Sequence, residues 1–148
     1  MTNQINDFLS KYDNEQFATG AGREMHAKLQ KIYLSPTKIG DPELIAKIES
    51  AGDELTVFFM ENSRPEVPIA GFINNEFLSR RIDRLVVDDA IKTVRVLDYK
   101  TDINADKFRD KYITKMGEYT KLLQKIYPDY KVSGYILWLH NWKLEHII

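Results

Sequence analysis

The stretch from Arg80 to Asp102 holds the residues best suited to joint chemistry, Asp83, Asp98 and Lys100. Two runs rich in β-branched residues flank a polar break at Asp88 and Asp89, which is the pattern of a β-hairpin. In the second run a side-chain period of two puts Val94, Val96, Asp98 and Lys100 on one face, and Arg95, Leu97 and Tyr99 on the other. With the turn centred between Ala90 and Ile91, Asp83 faces Asp98 across the hairpin, a pairing that a slip of one residue would break. Opposed side chains in such a pair have Cβ atoms roughly 4.5–5.5 Å apart, where like charges repel. A divalent cation would relieve that repulsion, since Mg²⁺ is held by one or two carboxylates and leaves its other positions to water and phosphate. Lys100 would add positive charge beside it, placed to stabilise or deliver a nucleophile. The same residues also suit a surface hairpin with solvated charges.

Ile82-Asp83-Arg84-Leu85 followed by Val96-Leu97-Asp98-Tyr99-Lys100-Thr101 resembles the paired motifs of the PD-(D/E)XK nuclease superfamily. The likeness is greatest to the RecB/AddA-type nuclease domain at the C-terminus of DNA-repair helicases, and it extends from about Gly22 to Leu139. The opening Gly-x-x-x-His-x-x-Leu element of that group is matched by Gly22, His26 and Leu29, and implies that His26 is a metal ligand. Read without the resemblance, His26 is a histidine at the margin of an apolar stripe, a position equally suited to a core or surface residue.

Glu66-Val67-Pro68-Ile69 is similar to the family's Glu-x-Pro-hydrophobic element, which implies a supporting acid at Glu66, with Glu61 as the neighbouring rival. The Gln-x-x-x-Tyr element is matched at Tyr119, with Lys115 in the Gln position, and implies DNA contact by both. Arg80 stands where the family has Gly, three residues before Asp83, and would either touch a phosphate or mark a reshaped cleft.

Taken together, the resemblance implies a restriction-endonuclease-like fold, α/β with a central mixed β-sheet flanked by helices. It implies Mg²⁺, with Mn²⁺ accepted because imidazole suits it better, held by His26, Asp83, Asp98 and the Tyr99 carbonyl. Asp83, Asp98 and Lys100 would be the catalytic set. The activity implied is a metal-dependent deoxyribonuclease of exonuclease type in DNA repair or recombination, with DNA as substrate and a helicase domain or subunit as partner. The alternative is a catalytically weakened nucleic-acid-binding or scaffold module on the same fold, favoured by Arg80 and Lys115.

Composition narrows the field. At 148 residues, 43% hydrophobic and 29% charged, the chain reads as one ordinary globular domain over 1–148. It contains no cysteine, which excludes disulfides, thiolate zinc sites and the iron–sulfur cluster of some relatives. The net charge of −1 hides an asymmetry: residues 1–75 hold 7 Lys/Arg against 11 Asp/Glu, whereas residues 92–148 hold 11 against 7. The second half is locally basic, a pattern that suits the solvated lysines of a helix face more than contact with nucleic acid when charge is read alone. The N-terminus lacks the basic region and apolar core of a secretory signal, and no run approaches the ~20 apolar residues of a membrane span. A cytoplasmic setting without a membrane partner is expected.

The elements that must position these groups follow from period and punctuation. Residues 1–21 read as a capping segment and a candidate fragment boundary. A helix over Gly22–Leu34, ended by Pro36, carries His26. A second, Asp41–Gly52, has Asp41 as N-cap, Pro42 at its first position and Leu44, Ile45 and Ile48 on its buried side. Leu55–Met60 reads as a strand by its β-formers, and Asn62–Pro68 as a loop whose prolines exclude a central strand. Phe72–Phe77 is ambiguous, with a turn candidate at Asn74-Asn75.

The strongest helix spans Asn104–Tyr127, with Asn104 as N-cap and Phe108, Tyr112, Met116, Tyr119, Leu123 and Ile126 as its apolar stripe. Lys131–His140 is an apolar strand, and Asn141-Trp142 turns it into a short arm over 143–148. His140 and His146 lack acidic neighbours at ligand spacing, and Trp138 and Trp142 suit packing better than base stacking.

Overall fold

The computed structural model describes residues 20–101 and 105–148. Three short helices come first: α1 (Gly20–Leu29), α2 (Pro42–Ser50) and α3 (Asp53–Thr56), the last continued by a 3₁₀ turn over Val57–Phe59. Three strands follow, β1 (Ser63–Ile73), β2 (Glu76–Asp88) and β3 (Thr93–Lys100), then the long helix α4 (Ala105–Ile126) and the pair β4 (Lys131–Trp138) and β5 (Lys143–His146). The strands form one five-stranded mixed sheet in the order β1-β2-β3-β4-β5. Only β3 and β4 run parallel, and α4 is the crossover that a parallel pair requires. The molecule is therefore α/β with a mixed sheet flanked by helices.

Each sheet face buries its own core. On one, α4 lays Tyr112, Met116, Tyr119 and Leu123 against Val94, Val96, Ile136 and Trp138. Gly134 permits that approach, because a Cβ there would fall 2.5 Å from Met116 Sδ. On the other face Leu29, Ile32, Ile48, Phe58 and Phe59 close over Leu97, Tyr99 and Leu137. Strand β3 thus divides as its period predicts, with Leu97 and Tyr99 toward the N-terminal helices and Val94 and Val96 toward α4. Its hairpin with β2 also has the expected register: Arg84 pairs with Leu97, Val86 with Arg95 and Asp88 with Thr93. Asp88 Oδ1 closes the turn by accepting from the N–H groups of Ala90 at 3.0 Å and Ile91 at 3.3 Å.

Several expectations need correction. Leu55–Phe59 is helical rather than a strand and Met60 lies just beyond it: Leu55, Phe58 and Phe59 are fully buried at spacings of three and four, a helical period. Gly52 enters α3 at φ 98, and Asp53 and Glu54 in its first turn suit the helix dipole. Asn62–Pro68 is no loop, since Ser63 onward is β1. The prolines hold it to the sheet edge, where a missing N–H breaks no rung of a second ladder.

The first helix begins at Gly20 and ends at Leu29 instead of continuing to Leu34. Ile126 is exposed rather than part of the buried stripe, while Leu122 joins it. The last long strand stops at Trp138, two residues short of His140. The expected Asn104 cap and residues 1–19 of the capping segment lie outside the described residues.

Other expectations hold. Asp41 caps α2, its Oδ1 accepting from the N–H groups of Glu43 at 2.9 Å and Leu44 at 3.1 Å. Asn74 and Asn75, at φ 51 and 65, form the two-residue turn that joins β1 to β2. Among the described residues no helix is long and apolar enough to cross a membrane.

Candidate active site

Pairing of β2 with β3 stops at Arg84 and Leu97, one step before the two acids. Beyond that point the Tyr99 N–H donates to the side chain of Asp83, Oδ2, at 2.8 Å. The local cause is a skipped beat in β2. Leu78 and Ile82 face the α4 core, and so does Leu85, so the alternation shifts phase between Ile82 and Leu85, where Asp83 lies. On β1 the matching position, between Pro65 and Val67, is Glu66 with φ 54. The two strands kink together, and the Asp83 carboxylate turns toward β3.

Asp83, Asp98 and Lys100 are all buried, as is His26. Lys100 Nζ lies 2.8 Å from Asp98 Oδ2 and 4.4 Å from the centre of the Tyr112 ring on α4. A carboxylate and an aromatic face are both favourable partners for an ammonium group taken out of water. From the other side, α1 brings His26 Nδ1 to 3.8 Å from Asp83 Oδ1, with its ring edge-on to Tyr99 at 5.3 Å between centres.

What holds α1 in place is Arg84, which is fully buried. Its Nη2 donates to the carbonyls of Leu29 at 2.8 Å and Ile32 at 2.7 Å, its Nη1 donates to Ser63 Oγ at 2.9 Å, and the guanidinium lies over the rings of Tyr33 and Phe59. Leu29 is the last residue of α1, where carbonyls lack intrahelical partners, and Ile32 lies in the turn that follows. The motif that contains Arg84 assigns it no role. The available signal was a cation inside an apolar strand run, which must find acceptors when buried. Tyr112 was missed as well, having been read only as core.

The electrostatics divide the two acids. Burial first, and then the charge of Asp98, hold the Asp83 carboxyl well above the usual carboxylate range. Burial would raise Asp98 too, but the ammonium groups of Lys100 and Lys115 outweigh it and keep Asp98 ionised. Burial is also the main reason that His26 is lowered to about 4, with Lys100 and Arg81 adding to it against the pull of Asp98. The site therefore holds an unprotonated imidazole at neutral pH, one acid whose proton affinity is raised and one ion-paired carboxylate whose proton affinity is lowered.

That donor set fits a hard divalent cation in kind, with two carboxylates and an unprotonated imidazole. A doubly charged ion would also favour the ionised form of Asp83, against the burial that raises its pKa. Among the described residues no three His, Cys, Asp or Glu side chains are gathered closely enough to hold an ion as they stand.

The remaining expected residues lie around this cluster. Glu66 is ion-paired to Arg81 Nε at 2.7 Å and lines a cavity of about 450 Å³ with Arg23, His26, Ala27, Gln30 and Arg81. Arg80 points to the opposite face, where its Nη2 and Nε both lie 3.1 Å from Glu118 Oε2 on α4. Lys115 is lowered to about 8, by burial and then by Lys100, against the opposing charges of Asp98 and Asp83. Tyr119 is buried in the α4-side core at 1% exposure. His146 stacks on Tyr135 at 4.5 Å, and Trp138 Nε1 donates to Glu145 Oε2 at 2.9 Å, both in packing roles. Neither protein-family models nor curated proteins yield a match to this sequence.

Proposed function

We propose that the protein is a metal-dependent deoxyribonuclease that hydrolyses phosphodiester bonds, on a fold of the restriction-endonuclease-like kind. The observation that carries this reading is the meeting of His26, Asp83, Asp98 and Lys100, from one helix and two strands, in one buried cluster. Nothing in a purely structural hairpin calls for two acids, an imidazole and a lysine there, because each buried polar group costs free energy.

In this reading Asp83, Asp98, His26 and the Tyr99 carbonyl hold Mg²⁺ or Mn²⁺. The bound ion supplies a water of lowered pKa and charge to offset the phosphate. Lys100, steadied by Asp98 and the Tyr112 ring, orients the attacking water and neutralises charge that builds on the phosphoryl oxygens. Lys115, near enough to be perturbed by Lys100 and Asp98, approaches the same phosphate from α4. Arg84 is a positioning residue, holding α1 and with it His26. DNA repair, and a helicase domain or subunit, are the setting and partner that suit this chemistry.

The test is cleavage of linear DNA with Mg²⁺ or Mn²⁺, none with chelator, and none by Lys100→Ala with its circular dichroism unchanged. Cleavage by that variant at the native rate would remove the assignment. A scaffold that has lost catalysis is the second reading, and the Arg80 to Glu118 ion pair favours it by placing a bulky cation where the resembling family has Gly. Calorimetric titration with Mn²⁺ separates them: binding lost in Asp98→Ala supports the nuclease, and binding unchanged supports the scaffold.

A further inference from the structure

We propose that the open face of the β1–β2 hairpin is a track for an unpaired nucleic-acid strand, which stacks on Phe72 and Phe77 at the tip and meets Arg81 and Arg23 near the buried cluster. The β1–β2 ladder continues well past the end of β3, to Ile73 and Glu76. One face of this extension is occupied by α4, which packs on Ile69, Leu78 and Ile82 and pairs Glu118 with Arg80. The other face presents Phe72, Phe77, Ser79 and Arg81, all exposed.

The two phenylalanines are each 59% exposed, and their rings meet edge to face at 5.4 Å. Arg81 follows Phe77 on the same side, roughly 13 Å along β2 at the rise of a strand. Glu66 fixes the Arg81 side chain through its Nε, at the rim of the cavity that Arg23, Gln30 and His26 also line. His26, which lines the cavity, also stands 3.8 Å from Asp83, so the cavity lies between the open face and the imidazole of the cluster.

Aromatic faces followed by guanidinium groups are the means by which proteins hold single strands without reading sequence: bases stack on the rings and phosphates meet the cations. A duplex keeps its base faces stacked internally, so the rings select unpaired DNA or RNA. The proposal rests on the nuclease reading only for the direction of travel toward Asp83, and strand binding is measurable by itself.

Fluorescence anisotropy of a labelled oligothymidine, with the full chain and EDTA present, reads binding without cleavage. The oligothymidine is expected to bind about tenfold tighter than a blunt duplex of equal length, and Phe72→Ala and Phe77→Ala to lose roughly fivefold or more each, with unfolding midpoints unchanged. Arg81→Gln weakens binding and flattens its salt dependence. Native affinity in the folded double phenylalanine variant overturns the track. So does equal binding of the duplex, or native self-association that the same substitutions abolish, which would assign the rings to a second copy of the chain. Hydrolysis of bis(p-nitrophenyl) phosphate separates the two readings, because this substrate is too small to reach the tip. Hydrolysis kept by the double variant while strand binding is lost supports both, whereas native strand binding without any hydrolysis removes the nuclease and leaves the track.

Discussion

Tyr99 and Asp83 are joined by a hydrogen bond that stands in for a rung of the β-ladder, the Tyr99 N–H donating to Asp83 Oδ2 at 2.8 Å where β2 and β3 part. The bond holds one carboxylate oxygen in line with the β3 backbone. The other oxygen faces His26, at 3.8 Å from Nδ1. A single acid thus links the strand that carries Asp98 and Lys100 to the helix that carries the imidazole.

Asp83→Asn tests whether that acid is neutral without metal. An amide keeps an acceptor for the Tyr99 N–H and removes the titration. With its folded pKa raised, Asp83 favours the fold below its unfolded value near 3.8, and that contribution is lost as pH rises toward the folded value. Urea unfolding in chelator should therefore find the variant gaining on the native chain as pH rises from about 4, while calorimetry finds its Mn²⁺ binding abolished. A stability difference independent of pH would show that Asp83 is not perturbed.

His26 has the opposite sign. Its pKa is lowered from 6.5 to about 4, so its contribution is complete above 6.5 and is lost as pH falls toward 4. At about 1.4 kcal/mol per unit, the native chain should lose about 3 kcal/mol more than His26→Gln across that window. Urea titrations at several pH values measure the difference, and a proton NMR titration of the imidazole locates its pKa.

Lys100→Met should leave the fold largely intact, because an unbranched apolar chain of nearly the same reach still packs on Tyr112, while removing the charge that lowers the Asp98 pKa. Cleavage should fall by roughly 10²–10⁴-fold if Lys100 handles the attacking water. Single-turnover assays with near-ultraviolet circular dichroism separate a catalytic loss from unfolding.

Lys115 should set an alkaline limit on substrate binding. Lowered to about 8, it sheds its proton above that pH, so KM for DNA should rise there with kcat less affected. Lys115→Arg, which stays protonated, should abolish that alkaline rise. A KM profile unchanged by the substitution would place the phosphate contact elsewhere.

Arg84→Met should be severe without touching the acids. It strands the carbonyl of Ile32 and the hydroxyl of Ser63 in the interior and leaves the Leu29 carbonyl with its backbone bond from the Ile32 N–H, a loss of about 3 kcal/mol at the usual cost of unmet buried hydrogen bonds. Chemical denaturation measures that loss, and weaker Mn²⁺ binding by the folded fraction would show that Arg84 also positions His26.

The chain by itself determined much of this arrangement. The register that sets Asp83 against Asp98, the Asp41 cap, the Asn74-Asn75 turn and most of the buried stripe of α4 are written in local period and turn chemistry, which act over a few residues. Only the tertiary structure decided that Leu55–Phe59 coils rather than extends, because both periods suit those residues and the packing partner chooses between them. It also decided that Arg84 serves α1 and that Tyr112 lies over Lys100. The same is true of how the two acids divide, Asp83 raised and Asp98 lowered, for burial and neighbouring charge depend on groups brought together from distant parts of the chain.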